Sequence, residues 1–498
     1  MDMQHNELNG AISTRLGFLE NLQKLNLSYN KFNRNIPNGI FNLSSLIEID
    51  LRNNSLSGSL PTDICYNLPK LELLRISHNQ ISGNIPPSMG TCTNLKQLFL
   101  SYNNFSGSIP MEIGNLSKLQ NLYLGRNILI GDLPTTIFNI TSLLQISVGE
   151  NKISGKFLED PCNRATMLEL LDLSGNKFHG EIPPSLLQCH ALQTLVIFGN
   201  EFSGSIPYEI GILSTLQYLD LLDNDFTGNI PNEIGNLSAL VELHLGKNGF
   251  SGTVPYSIGS ISNLKELNIG MNSLHGQIPE SIFNMSMLQA LGFENNSISG
   301  NLPSSIANGL LDLEVLYIGG NRLSGEIPCY ISKFSKLTVL DLTENSFSGR
   351  VPMNLGNLQN LQVLRFSGNQ LTNDPSMLEL DFLSSLKNCG QLKEDMVAHV
   401  VHFGIAKLFT EDQIISLTKT LGTIGYMAPD IKLKLTCYGD VLIRFQSLRI
   451  YQKWETQTTA GLNTVGCEPN KDHKYYQTSQ SRLHRFNYKE ASFELESV

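Results

Sequence analysis

The sequence predicts a solenoid, a single array of stacked units that each contribute one short strand to a continuous parallel sheet. Two observations predict it. Asparagine recurs at Asn30, Asn54, Asn79, Asn103, Asn127, Asn151, Asn176, Asn200, Asn224, Asn248, Asn272, Asn296, Asn321, Asn345 and Asn369, and every interval is 24 or 25 residues. Ahead of these asparagines runs an apolar-polar alternation. Leu95-Lys96-Gln97-Leu98-Phe99-Leu100-Ser101-Tyr102-Asn103, Leu119 to Asn127 and Leu240 to Asn248 all fit L-x-x-L-x-L-x-x-N. A fixed period of this length marks a repeat architecture. Asn6 stands 24 residues before Asn30, so the chain begins inside an earlier unit.

Each element of the unit has a physical reason. In L-x-L the side chains alternate, so the leucines face the core and the x positions face solvent. One such strand cannot bury its leucines alone, but stacked neighbours can. The asparagine amide carries donors and an acceptor, which can satisfy backbone groups where the chain turns off the strand. A second pattern follows, as in Phe105-Ser106-Gly107-Ser108-Ile109-Pro110. Its glycine permits a tight turn, and its proline stops a helix from continuing. The Ile-Gly-Asn-Leu runs (Ile113 to Leu116, Ile234 to Leu237) then supply apolar side chains to the convex side.

Composition narrows the function classes. Hydrophobic residues make up 41% of the 498, ample for a core, and the net charge is −10. Residues 395–498 hold 12 Lys+Arg against 11 Asp+Glu, so the acidity rests on residues 1–394. That balance argues against nucleic-acid binding, which needs a basic footprint. Met1-Asp2-Met3-Gln4-His5-Asn6 shows no secretory pattern, and no apolar run approaches the 18 residues of a membrane span. The eight cysteines are too sparse to predict a disulfide framework. Cys92, Cys189 and Cys389 share one repeat context, which predicts small buried packers.

The period L-x-x-L-x-L-x-x-N-x-F/L-S-G-x-I-P resembles the extracellular domain of plant leucine-rich-repeat receptor-like kinases and receptor-like proteins. The resemblance covers about four fifths of the chain, residues 1–394. It implies a leucine-rich-repeat solenoid of right-handed superhelical form, with parallel strands lining the concave face. At about 4.8 Å per strand, fifteen units give an inner sheet on the order of 70 Å long. It implies a peptide or protein ligand, a co-receptor, and signalling in defence or development.

The period fails near Glu394/Asp395. Asp395 stands where a core leucine is due and Val400 where the next asparagine is due. A charge at a core position is costly to bury. Residues 395–440 then change character. Val400-Val401-His402-Phe403-Gly404-Ile405-Ala406-Lys407-Leu408 leads to Gly422-Thr423-Ile424-Gly425-Tyr426-Met427-Ala428-Pro429-Asp430, and Gly439-Asp440-Val441 follows. This resembles the activation segment of a receptor-like Ser/Thr kinase. That family uses ATP and magnesium, but neither is expected to bind here. His402 replaces the aspartate of D-F-G, beside Phe403 and Gly404, and brings no carboxylate to magnesium. The glycine-rich loop, the strand lysine and the H-R-D loop are missing. Ser416, Thr418, Thr420 and Thr423 read as inert hydroxyls, and residues 441–498 as a partly disordered tail.

The exposed x positions are where a ligand would touch. Phe99, Tyr123, Phe198, Tyr218, Leu222, Met271 and Tyr317 are large, and aromatics are enriched at interaction sites. Asp220, Asp223, Glu242, His244 and Lys247 add polar groups nearby. Nine N-x-S/T sequons occur, at Asn26, Asn42, Asn53, Asn104, Asn115, Asn139, Asn236, Asn284 and Asn295. They accept glycans if the chain is secreted, although Asn-Leu-Ser is also part of the repeat itself. His78, His179, His190 and His275 show no metal-ligand spacing and read as solvated. The functional expectation is a non-catalytic binding module, cut from a receptor kinase and lacking its caps, as a degraded gene would leave it. The alternatives are a surviving member of the kinase class and a signalling-dead decoy.

Overall fold

The computed structural model describes residues 1–372 except 157–160, 163 and 305, together with residues 385, 386 and 389. These all lie in the compact unit Met1–Thr436. The break at Glu394/Asp395, the segment 395–440 with His402, Phe403 and Gly404, and the tail 441–498 fall outside the described residues.

The predicted sheet is present. Fifteen three-residue strands, from Lys24–Asn26 to Val363–Arg365, pair in sequence order as one parallel sheet. The register repeats without a slip: Leu74 faces Leu98, Leu98 faces Leu122, and Leu122 faces Ile146. A second row of strands follows each turn; its longest run has eleven strands, from Ile130–Asp132 to Gln370–Thr372. The third side is built of single 3-10 turns such as Met111–Asn115 and Asn232–Asn236.

Proline acts differently from the sequence reading. Pro110 and Pro231 sit just before their 3-10 turns, with φ of −64° and −71°, so they start the turn and do not stop one. The fixed proline φ matches an extended residue entering a helix. Gly107, as expected, takes a left-handed φ of +72°. The glycine of the convex turns answers a different need. A Cβ on Gly90 would lie 2.2 Å from the backbone oxygen of Glu112 in the next unit.

The core is a set of ladders. Leu95, Leu98 and Leu100 are fully buried, as are their counterparts Leu119, Leu122 and Leu124. Phe178, Phe202, Phe226 and Phe250 stack nearly parallel, with ring centroids 6.3, 6.3 and 6.0 Å apart. Asn103 shows what the recurring asparagine does. Its Nδ2 donates to the carbonyls of Leu100 and Ser101 in its own turn and of Ile76 in the preceding one, at 3.1, 3.2 and 3.0 Å. Its Oδ1 accepts from the Ile81 backbone N–H at 2.9 Å. The same four contacts recur from Asn30 through Asn369. They hold the turn in a costly conformation: the residue before each asparagine has positive φ, including Tyr102 (56°), Arg126 (53°) and Met271 (54°). Asn6 makes the within-turn part of this set, to Met3 and Gln4.

The cysteine reading needs correction. Cys92 and Cys189 are buried as expected, but each closes a disulfide, Cys65–Cys92 and Cys162–Cys189, with Cα atoms 5.1 and 5.3 Å apart. Both join adjacent units across 27 residues. Cys389 has no such partner and is the buried packer foreseen; burial pushes its thiol pKa up. Too few cysteines for a framework can still be placed pairwise, because stacking brings neighbouring units within bonding reach.

Candidate ligand-binding face

The inner sheet is the broad face that the repeat leaves variable. Position by position it presents one row that reads Thr194, Tyr218, Glu242, Glu266, Ala290, Val315 and a second that reads Val196, Asp220, His244, Asn268, Gly292, Tyr317. Strand pairing therefore places residues 24 or 25 apart in sequence side by side.

Three of the seven large residues are buried. Phe99, Tyr123 and Leu222 retain 3%, 5% and 6% of their surface. Phe99 and Tyr123 pack edge to face with centroids 4.7 Å apart, the Arg75 guanidinium covers Phe99, and Tyr123 Oη donates to Gln145 Oε1 at 2.7 Å. Large side chains on adjacent strands cover each other, and the x position alone does not reveal that. Tyr218 is exposed and Tyr317 half-buried, both on strands. Phe198 and Met271 are half-buried but lie in the turns after their strands, not on them.

Around Tyr218 the face is acidic. Asp220 is buried and accepts from the Leu222 backbone N–H at 3.0 Å. His244 Nε2 lies 3.3 Å from Glu242 Oε2 and 3.9 Å from Glu266 Oε2. Burial opposes a charge on this imidazole, but the hydrogen bond to Glu242 and the carboxylates of Asp220, Glu242 and Glu266 outweigh it, and its pKa is pushed up to about 9. Asp223 and Lys247 form an ion pair at the edge. The sequence reading named most of this group and missed Glu266. Its signal was the acidic residue recurring 24 positions after Glu242.

Nearer the N-terminus, Arg52 is bonded to Asp50 at 2.8 Å, and Arg75 forms longer ion pairs with Glu48 and Asp50 at 3.8 and 3.7 Å. Sequence reasoning missed this network.

Of the nine sequons, Asn42, Asn104, Asn115, Asn139, Asn236 and Asn284 are exposed. Asn26, Asn53 and Asn295 are half-buried, and Asn26 is bonded to Gln4 and Ser28. His179, His190 and His275 are exposed, but His78 is half-buried and stacks on Tyr102 with ring centroids 3.9 Å apart. No helix among the described residues is long and apolar enough to cross a membrane.

Parallel short strands, an asparagine ladder and a variable inner face define a leucine-rich-repeat protein, and the chain belongs to that family. Leucine-rich-repeat profiles match residues 20–81 and 69–111, and single repeats at 167–189, 215–237, 263–285, 312–334 and 336–358. A leucine-rich-repeat protein of Leptospira interrogans is 30% identical with a TM-score of 0.62, covering 79% of this chain and 94% of that one. The ectodomain of the Arabidopsis receptor kinase HAESA, solved with the peptide hormone IDA and the co-receptor SERK1, is similar at 34% identity. Its TM-score is 0.70, over 74% of this chain and 62% of that one. Receptor-like protein 39 of Arabidopsis thaliana is 41% identical over 103 residues, 20% of this chain and 11% of the relative. The matched stretch is thus a small part of the curated relative, and the likeness is to leucine-rich-repeat receptor-like proteins.

Proposed function

We propose that the solenoid is the ligand-binding part of a plant receptor, taking a peptide on its inner face with a co-receptor alongside. One observation carries this: the structural likeness to the HAESA ectodomain, which was solved holding both kinds of partner. The inner face supports it with Tyr218 and Tyr317, and Phe198 and Met271 keep some exposure in the turns that follow their strands. Phe99, Tyr123 and Leu222 serve as packing beneath that surface. The exposed sequons Asn42, Asn104, Asn115, Asn139, Asn236 and Asn284 are the glycan acceptors in this reading.

A kinase parentage is part of the proposal. It rests on the resemblance of residues 395–440 to an activation segment, and His402 in place of the D-F-G aspartate leaves that segment without phosphoryl transfer. The protein therefore works by binding alone.

The test is a panel of synthetic plant peptide hormones titrated onto the immobilised full chain, with and without a co-receptor ectodomain. Saturable binding of one peptide is expected, weakened at least about tenfold by Tyr218→Ala or Tyr317→Ala, the scale of an interface hot spot. Tyr208→Ala, exposed in the 3-10 turn Tyr208–Ile212, serves as the control. Loss of binding in the control alone, or no binding by any peptide, rejects the reading. Transfer of phosphate from ATP·Mg would reject the non-catalytic part.

A further inference from the structure

On the inner face, Glu242 and His244 from one strand and Glu266 from the next offer one ligand atom each, all within 4.8 Å of one another. Two carboxylates converge on the same imidazole nitrogen, Nε2, at 3.3 and 3.9 Å. Ligands held about 2.0–2.1 Å from one tetrahedral ion lie roughly 3.3 Å apart. The Glu242–His244 edge already has that length, and a small turn of the Glu266 side chain closes the second. The three side chains keep 12–17% of their surface. The cluster is thus largely dry but not sealed from solvent.

Charge points the same way. Glu242, Glu266 and Asp220 surround one histidine, an excess of acidic over basic groups. A divalent cation would offset that charge where water is scarce. The donor set selects the kind of ion. Calcium and magnesium favour all-oxygen shells, whereas imidazole with carboxylates suits zinc and its neighbours. Three protein ligands leave a coordination position free, which here faces the inner surface.

We propose that Glu242, His244 and Glu266 form a three-ligand site for a divalent cation of the zinc class on the inner face of the solenoid. The site stands apart from the peptide-binding reading and does not depend on it.

The experiment uses the full chain, freed of metal with a chelator, then titrated with zinc by calorimetry and with cobalt by visible absorption. The expected result is one site whose cobalt spectrum shows ligand-field bands of a nitrogen–oxygen shell and no thiolate charge-transfer band. Glu266→Gln and His244→Gln should each weaken binding at least about tenfold, with circular dichroism unchanged. If His244→Gln fails to fold, Glu266→Gln, nearly the same shape, decides alone. No zinc binding overturns the proposal. So does a thiolate band, which would assign the ion to cysteines, or zinc affinity unchanged in Glu266→Gln.

Discussion

Asn103 and Ile76 are joined across a repeat boundary: the Asn103 side-chain amide donates to the Ile76 carbonyl at 3.0 Å, although 27 residues separate them. The same amide accepts from Ile81 and closes its own turn through Leu100 and Ser101. One side chain therefore ties two units and holds Tyr102 at a φ of 56°.

Asn103→Ala should cost about 3 kcal/mol, because it leaves several buried backbone groups unpaired at once. Asn104→Ala, one position on and exposed, should stay within about 0.5 kcal/mol. Denaturant unfolding of the two variants compares them directly. Equal losses would mean that the ladder contributes no more than the surface does.

The disulfides make a second case. Each closes a loop of 27 residues, for which chain entropy gives about 3–4 kcal/mol. Cys65→Ser with Cys92→Ser should lower stability by about that amount. Alkylation of the native protein should label Cys329, which is exposed, and spare Cys389, which is buried. Peptide mapping by mass spectrometry reads both positions, and fast labelling of Cys389 would contradict its packing.

Gly90 tests the spacing of the convex turns. A methyl group there meets the Glu112 carbonyl oxygen at 2.2 Å, and backbone cannot swing aside as a side chain can. Gly90→Ala should therefore destabilise by about 1–3 kcal/mol, the range for overpacking. An unchanged thermal midpoint would show that adjacent turns can move apart freely.

The phenylalanine stack should behave as a unit. Phe226 lies between Phe202 and Phe250, with centroids 6.3 and 6.0 Å away. Phe226→Ala should cost about 3–5 kcal/mol. A double-mutant cycle with Phe250→Ala should show coupling above about 0.5 kcal/mol. Simple additivity would mean the rings fill space without supporting each other.

What the sequence by itself determined was the unit: its length, its strand, its buried leucines and its asparagine. Those features are local or strictly periodic, so the alternation in Leu98-Phe99-Leu100 already says which side chains turn inward. Only the tertiary structure decided what happens between units. Phe99 is buried because Tyr123 and Arg75 lie against it. Cys65 meets Cys92, and Glu266 joins Glu242 and His244, because one more turn of the chain lays them side by side. Such pairs are set by the size and charge of neighbours about 24 residues away. A pattern read along the chain gives each side chain's direction, but its exposure and its partners are fixed only when the strands stack about 4.8 Å apart.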